Sequence, residues 1–306
     1  MAVIPKKAAT VILLREGNPE GFETFLLKRH EKSSFMGGNF VYPGGRVDRD
    51  DGSYETCSLC SGVTSERAFQ TFGETLPPDE CLAHWVAGIR ELFEEAGVLL
   101  AYDQQGKSLR LTNPTDQERF LGYRGLLQEG KISICQLAQE EKLLFALDQL
   151  HYYAHWITPE AQSKRFDTRF FLAFHPAGQE ASHDQTETTI GVWLSPQKAL
   201  EKNLEGDVAL SPPTLKTLED LSRFRRIEEL SASLKKTEIR PILPVLTKAM
   251  DEALILFPWD PEYEIFRKGE TPKQIDHGRP SRPEDNTTRV ILRKGLWMPY
   301  CRTKEG

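Results

Sequence analysis

The sequence predicts an α/β protein, because short β-favouring runs alternate with segments of helical periodicity along much of the chain. Turn-forming glycine and proline residues separate the β-favouring runs. A longer amphipathic helix begins near Leu82 and carries an apolar face and an acidic face. With 306 residues, the chain is long enough for one large domain or two smaller ones.

The predicted elements follow one another in a simple order. Strands at residues 9–14 and 23–29 flank a turn-rich connection, which favours a β-hairpin. A third strand ends at Tyr42, just before a Pro-Gly-Gly turn at 43–45. Residues 48–78 are polar and show little periodicity, so they are predicted to form an irregular insertion. The later elements are helices at 116–128 and 134–147, strands at 152–157, 165–174 and 191–194, helices at 195–204, 212–224 and 226–236, and a strand-like run at 289–296.

Composition and charge exclude several classes of protein. Hydrophobic residues make up 39% of the chain and charged residues 27%, as is typical of a soluble globular protein. The net charge of −6 comes without a long basic block, so we expect no nucleic-acid partner. No apolar run approaches the length of about 18 residues that predicts a membrane span, so we expect no membrane partner. Five cysteines are too few for a disulfide framework in a chain of this length, and an odd number leaves at least one unpaired. This favours a reducing, cytoplasmic setting.

An acidic helix face is the strongest chemical signal in the sequence. At about 100° per residue, Glu91, Glu94 and Glu95 share one side of the predicted helix, opposite its apolar side. Like charges at this spacing destabilise an isolated helix by a few tenths of a kcal/mol per pair, roughly, so a bound cation explains the cluster better than a solvated face does. Mg²⁺ and Mn²⁺ prefer such oxygen ligands. Arg90 can brace a neighbouring carboxylate, and Gly97 predicts the end of the helix.

The run Arg-Glu-Leu-Phe-Glu-Glu-Ala-Gly-Val at residues 90–98 resembles the core of the Nudix box. The full box begins with glycine, five residues and glutamate; here Gly45 is followed by Asp51 at the matching position. The segment between Asp51 and Arg90 is far longer than in a usual box. The resemblance implies a Nudix α/β/α sandwich with a mixed central sheet and an insertion before the box helix. It also implies metal-dependent hydrolysis of a pyrophosphate bond.

A long insertion at this place resembles one branch of that family, the coenzyme A diphosphatase-like proteins of the peroxisomal type and their bacterial relatives. The segment 26–45 is similar to their coenzyme A signature, with Tyr42 in place of phenylalanine and Ser34 where an arginine is expected. The resemblance implies coenzyme A or an acyl-CoA as substrate. Open alternatives are another nucleotide-linked substrate, such as a dinucleotide, ADP-ribose or a nucleotide sugar, and a Nudix-fold ligand-binding module without turnover.

The resemblance also implies roles for individual residues. Glu91, Glu94 and Glu95 are predicted to be catalytic metal ligands, with Arg90 beside them, and Glu91 is also an alternative general base. A further glutamate outside the box often serves as ligand or general base in this fold, and Glu187 is the best positional match. His183 and Asp184 lie nearby, and a solvated loop residue is the alternative for Glu187.

Substrate contacts are predicted at two arginines and two glycines. Guanidinium groups suit phosphate oxygens, so Arg29 and Arg169 are candidates. Strand alternation puts Arg169 on the same face as Asp167, and an internal salt bridge is the alternative. Gly44 and Gly45 allow the backbone to approach the site closely.

A second metal site is a further hypothesis. Cys57 and Cys60, with Cys81 and His84, have ligand types and spacings compatible with structural zinc, although a cysteine pair in a loop can also be incidental.

The predicted organisation is a Nudix domain at residues 1–205 and a C-terminal extension at 206–306, helical and then irregular. Within the first domain we expect an insertion at about 52–81 and a helical insertion at 105–150. A homodimer is left open.

Overall fold

A computed structural model describes residues 3–17, 21–33, 36–73, 75–184, 186–234, 238–249, 251–270, 277–282 and 284–302. Ser34, at the expected arginine position of the coenzyme A signature, lies outside these residues.

Strands and helices alternate along the chain as predicted. The strands are β1 (Lys6–Glu16), β2 (Phe22–Arg29), β3 (Phe40–Val41), β4 (Gly44–Arg46), β5 (Cys60–Ser61), β6 (Ala101–Tyr102), β7 (Leu144–Ala146), β8 (His151–Ile157), β9 (Phe166–Phe174), β10 (Thr188–Leu194), β11 (Pro241–Ile242), β12 (Val245–Ala249), β13 (Glu252–Leu256), β14 (Arg279–Pro280), β15 (Arg289–Arg293) and β16 (Leu296–Cys301). The helices are α1 (Tyr54–Cys57), α2 (Ser65–Thr71), α3 (Pro78–Ala96), α4 (Pro114–Gln128), α5 (Ile134–Glu141), α6 (Pro196–Glu205), α7 (Pro212–Leu221), α8 (Ile227–Leu234) and α9 (Tyr263–Arg267).

The central sheet is mixed. Its strand order is β10-β2-β1-β9-β8-β11, with β3 paired to β2 and β4 paired to β1. β1 runs parallel to β9, and β11 runs parallel to β8. The other pairs are antiparallel, including the predicted hairpin of β1 and β2. The mixed sheet implied by the resemblance is confirmed.

Both faces of this sheet are buried. Along β1, Val11 and Leu13 pack into the core formed with α3, whereas Ile12 and Leu14 pack into a second core with α6 and α7. Alternate residues of a strand point to opposite faces, so a continuous apolar run is expected when helices cover both sides. The three layers form the predicted α/β/α sandwich.

Helix α3 carries the acidic face. It packs into the first core along most of its length. It begins with Pro78 at its first turn and ends at Gly97, whose φ of 72° is left-handed. That conformation favours glycine, which is why the helix stops where the sequence predicts. Its inner side, from Cys81 to Ala96, is almost entirely buried against the sheet and the insertion.

The insertion before α3 is more ordered than predicted. It contains a short 3₁₀ helix at Arg49–Gly52, then α1, β5 and α2. The side chains of Ser53 and Thr64 cap α1 and α2. Phe72, just after α2, stacks on Trp85 of α3 with ring centroids 4.8 Å apart. These elements are too short to produce a recognisable hydrophobic period, so they cannot be predicted from the sequence pattern.

The C-terminal residues also differ from the prediction. After α8 the chain forms a five-stranded sheet in the order β12-β13-β15-β16-β14, where an irregular segment with one strand-like run is predicted. Ile255, Phe257 and Val290 join the second core, and Phe257 meets Trp156 of β8 at 5.7 Å between ring centroids. This sheet therefore helps to cover the face of the central sheet opposite α3.

Within the described residues, no helix has both the length and the apolar character needed to cross a bilayer.

The C-terminal sheet depends on one buried arginine. Arg289 is fully buried and donates through Nε to Asp260 at 2.7 Å and through Nη2 to Glu262 at 3.0 Å. Arg289→Ala leaves two buried carboxylates without this partner, so we expect the free energy of unfolding in urea to fall by about 3–5 kcal/mol. The control is Arg267→Ala, which removes an exposed pair with Glu264. Equal stability of the two variants contradicts the prediction.

Candidate active site

Arg90 lies at the centre of the acidic cluster on α3. Its Nε donates to Asp51 Oδ1 at 2.9 Å, and its Nη2 donates to Asp51 Oδ2 at 3.0 Å. This two-pronged arrangement is the strong geometry of an arginine–carboxylate pair. The two residues are 39 positions apart, so the pair closes the whole insertion onto the box helix.

Asp51 takes the place of the first carboxylate of the box. It is 1% exposed and lies in the 3₁₀ helix that follows β4. Burial raises the pKa of Asp51, while the Arg90 guanidinium opposes the shift. The backbone N–H of Asp48 also donates to Asp51 Oδ2 at 2.8 Å. The spacing from Gly45 identifies Asp51 in the sequence. Its pairing with Arg90 is visible only in the fold.

The remaining donors of Arg90 hold the neighbouring glutamates. Nη1 donates to Glu91 Oε1 at 2.9 Å and to Glu94 Oε2 at 3.0 Å. Nη2 also donates to the carbonyl oxygen of Arg46, in β4, at 2.7 Å. The predicted brace is therefore present, and it fixes two box carboxylates and the glycine strand to one guanidinium.

The glycines of β4 lie directly against the glutamates. The N–H of Gly44 donates to Glu95 Oε2 at 2.8 Å. A Cβ atom at Gly45 would lie 2.3 Å from Glu91 Oε1, closer than any side chain can approach. The backbone at 44–45 therefore approaches the acidic face of α3 closely, as predicted.

Burial gives these carboxylates unusual electrostatics. It raises the pKa of Glu91 to about 7, against the opposing effect of Arg90. Burial also raises the pKa of Glu94, and it raises the pKa of Glu95 well above its usual range, where the nearby Glu91 adds to the effect. A buried anion without a matching cation is costly. The cluster therefore has more negative charge than its protein partners neutralise.

A divalent cation fits this donor set. Carboxylate oxygens are the preferred ligands of Mg²⁺ and Mn²⁺, and a cation would favour the charged form of all three box glutamates. In the part of the chain that the structure describes, no group of three or more His, Cys, Asp or Glu side chains converges as a metal centre. Arg90 explains this, because Glu91 and Glu94 are turned towards its guanidinium.

The structure brings Glu187 and Arg29 to the box. Arg29 Nη2 lies 3.7 Å from Glu187 Oε2, and both side chains act on the pKa of the buried Glu95, after the larger effects of burial, Glu91 and Gly44. The Nε of Arg29 is buried and has no hydrogen-bond partner among the described residues. The catalytic role of Glu187 and the substrate role of Arg29 stay predictions.

The loop that carries Glu187 is built around Asp184. The Asp184 carboxylate accepts hydrogen bonds from the backbone N–H groups of Thr186, Glu187 and Thr188, at 3.2, 3.1 and 2.9 Å. Because its oxygens are used in this way, Asp184 shapes the loop. His183 precedes it on the same loop.

Arg124 on α4 is a contact that sequence reasoning missed. Its Nε donates to the carbonyl oxygen of Glu94 at 2.9 Å, and its Nη2 donates to the carbonyl oxygen of Ser182 at 2.8 Å. It thus ties the last turn of the box helix to the loop leading to Glu187. The polar pattern of α4 contains no signal for this, since the partners are backbone atoms far away in sequence.

Arg169 lies in a separate buried cluster on β9. Its Nη1 forms an ion pair with Asp167 at 2.5 Å and contacts His155. Its guanidinium carbon is 4.8 Å from the ring centroid of Phe72. The internal salt bridge is therefore present, and the role of Arg169 in phosphate binding stays a prediction.

The zinc hypothesis is wrong, because Cys57, Cys60, Cys81 and His84 do not converge in the described structure. Cys60 Sγ donates to the carbonyl of Thr56 at 3.5 Å, and Cys81 is buried in the first core. The Nδ1–H of His84 donates to the Glu80 carbonyl oxygen at 2.8 Å. The two ligand pairs have suitable spacings in the sequence, but the fold does not bring them to one common centre.

The structure is a mixed α/β/α sandwich in which Arg90 and the glycines of β4 hold the glutamates of α3. These features define a Nudix hydrolase, an enzyme that cleaves pyrophosphate bonds. The family described as the NUDT19 Nudix domain matches residues 5–223, and the chain belongs to this family. The family and fold predictions are both confirmed.

Known proteins agree with this assignment. The chain is 28% identical over 280 residues to the acyl-coenzyme A diphosphatase NUDT19 of Xenopus laevis, covering 81% of this chain and 73% of the relative. It is 28% identical over 302 residues to the protein of the same name from Gallus gallus, covering 84% and 79%. A solved NUDIX hydrolase from Alicyclobacillus acidocaldarius aligns with a TM-score of 0.61 at 25% identity, covering 78% of this chain and 99% of that chain.

The pair of Asp51 and Arg90 leads to a direct test. Asp51→Asn weakens the hold on Arg90 and hence on Glu91 and Glu94, so we expect the rate of pyrophosphate hydrolysis to fall about 10- to 100-fold. Glu55→Gln is the control, because Glu55 is an exposed carboxylate on the nearby helix α1. Thermal melting of both variants separates lost activity from lost folding. Unchanged turnover in folded Asp51→Asn protein rules out the positioning role.

Proposed function

We propose that this protein hydrolyses the pyrophosphate bond of an acyl-coenzyme A. The observation that carries the proposal is the buried box cluster, in which Arg90 holds Glu91 and Glu94 while the glycine strand holds Glu95. The names of the relatives from Xenopus laevis and Gallus gallus support coenzyme A as the substrate class. Hydrolysis would release adenosine 3′,5′-bisphosphate and a 4′-phosphopantetheine that carries the acyl group.

The box glutamates would hold the divalent cation, Mg²⁺ or Mn²⁺. When bound, such a cation neutralises phosphate oxygens and lowers the barrier to attack by water. The chain's own contribution is to hold Glu91 and Glu94 through Arg90 and Glu95 through the Gly44 N–H. These hydrogen bonds restrict the positions of the three carboxylates before substrate binds.

Glu187 is our candidate for the general base. Its side chain is 66% exposed and can contact an attacking water, whereas Glu91 is turned inward to Arg90. The Asp184 loop and the backbone bond from the His30 N–H to the Glu187 carbonyl, at 3.0 Å, hold it beside Glu95. Proton removal by a carboxylate at this point would activate water for in-line attack on phosphorus.

Arg29 is our candidate for the contact to the 3′-phosphate. Its buried Nε has no partner in the described residues, so a phosphate oxygen would satisfy an otherwise costly donor. Lys28 and His30 flank it in sequence, and Lys28 Nζ lies 3.7 Å from Glu31 Oε1. The cytoplasmic setting stays a prediction, which the five free cysteines favour.

Neutralising one box carboxylate tests the metal-dependent reaction. Glu94→Gln or Glu95→Gln should lower the release of adenosine 3′,5′-bisphosphate from an acyl-CoA at least about 100-fold, because each removes a charged ligand. Glu180→Gln is the control, since Glu180 is an exposed carboxylate that belongs to neither the box nor the Glu187 loop. Chromatography of the products is the measurement, with Mg²⁺ or Mn²⁺ and with excess EDTA. Full activity in EDTA contradicts the metal dependence, and cleavage of only other pyrophosphates contradicts the substrate.

The 3′-phosphate contact has its own test. Arg29→Ala should lower kcat/KM on coenzyme A by about ten- to a hundredfold, since losing a charged hydrogen bond costs about 1.5–3 kcal/mol. The loss should be much smaller on dephospho-coenzyme A, which lacks the 3′-phosphate. Lys32→Ala removes an exposed charge nearby and serves as control. Equal losses on the two substrates remove the assigned role.

A further inference from the structure

A cleft opens on the Glu94 side of the box helix. It has a volume of ≈350 Å³ and lies between the insertion that precedes α3 and the connection of α4 to α5. Arg90 and Glu94 line it, so it is continuous with the box carboxylates. The volume falls within the range of about 300–1,000 Å³ that is usual for ligand sites.

The two sides of the box differ in charge. Arg29, with Lys28 and His30 next to it in sequence, lies on the Glu95 side. In the cleft on the Glu94 side, lining carboxylates outnumber cations: Asp48, Asp50, the buried Asp51 and Glu94 against Arg90 and Lys131. A phosphate placed between these carboxylates would meet like charge, whereas an uncharged group would not. The charge asymmetry therefore separates the anionic end of a substrate from its neutral end.

The far wall of the cleft, at the end of α4 and the start of α5, is mixed. Leu127, Ile132, Ile134 and Cys135 supply its apolar part, and Lys131, Ser133 and Gln136 supply its polar part. Opposite them, the carboxylates of Asp48 and Asp50 can accept hydrogen bonds. The pantetheine arm of a coenzyme A thioester is a neutral chain with two amide N–H groups and a lipophilic acyl end. Hydrogen-bond acceptors facing an apolar patch match that chemistry.

The far wall is held in place by its own backbone. The Gly130 N–H donates to the Leu127 carbonyl at 2.8 Å, and the Lys131 N–H donates to the Leu126 carbonyl at 2.9 Å. Ser133 then caps α5. Between these fixed points Ile132 is half-buried, in contact with the first core and lining the cleft. A substitution there changes the cleft, and thermal melting of the variant measures its effect on the core beneath.

We propose that this cleft binds the pantetheine arm of the substrate and that Ile132 determines how well the arm binds. This inference rests on the proposed function, because it assumes a pyrophosphate substrate with such an arm. The pyrophosphate then lies at the box, the adenosine 3′-phosphate lies towards Arg29, and the arm lies between Asp50 and Ile132.

The two product halves separate these sites experimentally. In calorimetry, Ile132→Trp should fill the cleft and weaken binding of 4′-phosphopantetheine about tenfold or more, with adenosine 3′,5′-bisphosphate bound as before. Leu121→Trp is the matched control, because Leu121 is 65% exposed on α4 and does not line the cleft. Ile132→Ala, which keeps the cleft open, should raise KM for a long-chain acyl-CoA and leave kcat unchanged.

The outcomes are distinct. Loss of 4′-phosphopantetheine binding alone supports the cleft. Equal weakening of both halves by Ile132→Trp, weakening of neither half, or no binding of 4′-phosphopantetheine by the unmodified protein overturns it. If no acyl-CoA releases adenosine 3′,5′-bisphosphate, the proposed function fails instead. The calorimetric measurement needs no turnover, so it tests the cleft separately.

Discussion

The ion pair between Arg90 and Asp51 is the interaction on which the site depends. Both side chains are buried, and together they join the box helix to a residue 39 positions earlier. A buried charge is stable only when it is paired and hydrogen-bonded, so neither residue can leave this position cheaply. The same guanidinium then orients Glu91 and Glu94. One buried arginine thus sets the geometry of two of the three box glutamates.

The insertion before α3 changes the surroundings of the box without changing its chemistry. Its first turn carries Asp51 into place, and its later part packs on α3 through Phe72. The second insertion, α4 and α5, closes the other side, where Arg124 binds the carbonyl groups of Glu94 and Ser182. Both insertions therefore form walls around the box helix and the glycine strand.

The C-terminal part has a complementary function in the fold. Helices α6 to α8 and the five-stranded sheet cover one face of the central sheet, while α3 and the insertions cover the other. With both faces buried, the apolar residues of β1 contribute to two cores, and full burial of each such side chain is worth about 1.5–3 kcal/mol. The site is consequently built on the most rigid part of the molecule, which favours fixed positions for its carboxylates.

The sequence alone determined the features that depend on local spacing. The acidic face of α3, its end at Gly97, the close approach at Gly44 and Gly45, and most of the central strands follow from periodicity and turn chemistry. Only the tertiary structure decided which distant groups meet. It paired Asp51 with Arg90, brought Glu187 beside Arg29, kept Arg169 in a separate ion pair and left the four zinc candidates apart. Short elements in the insertion and the C-terminal sheet were also hidden, because strand pairing and side-chain contacts over long separations leave no period in the chain.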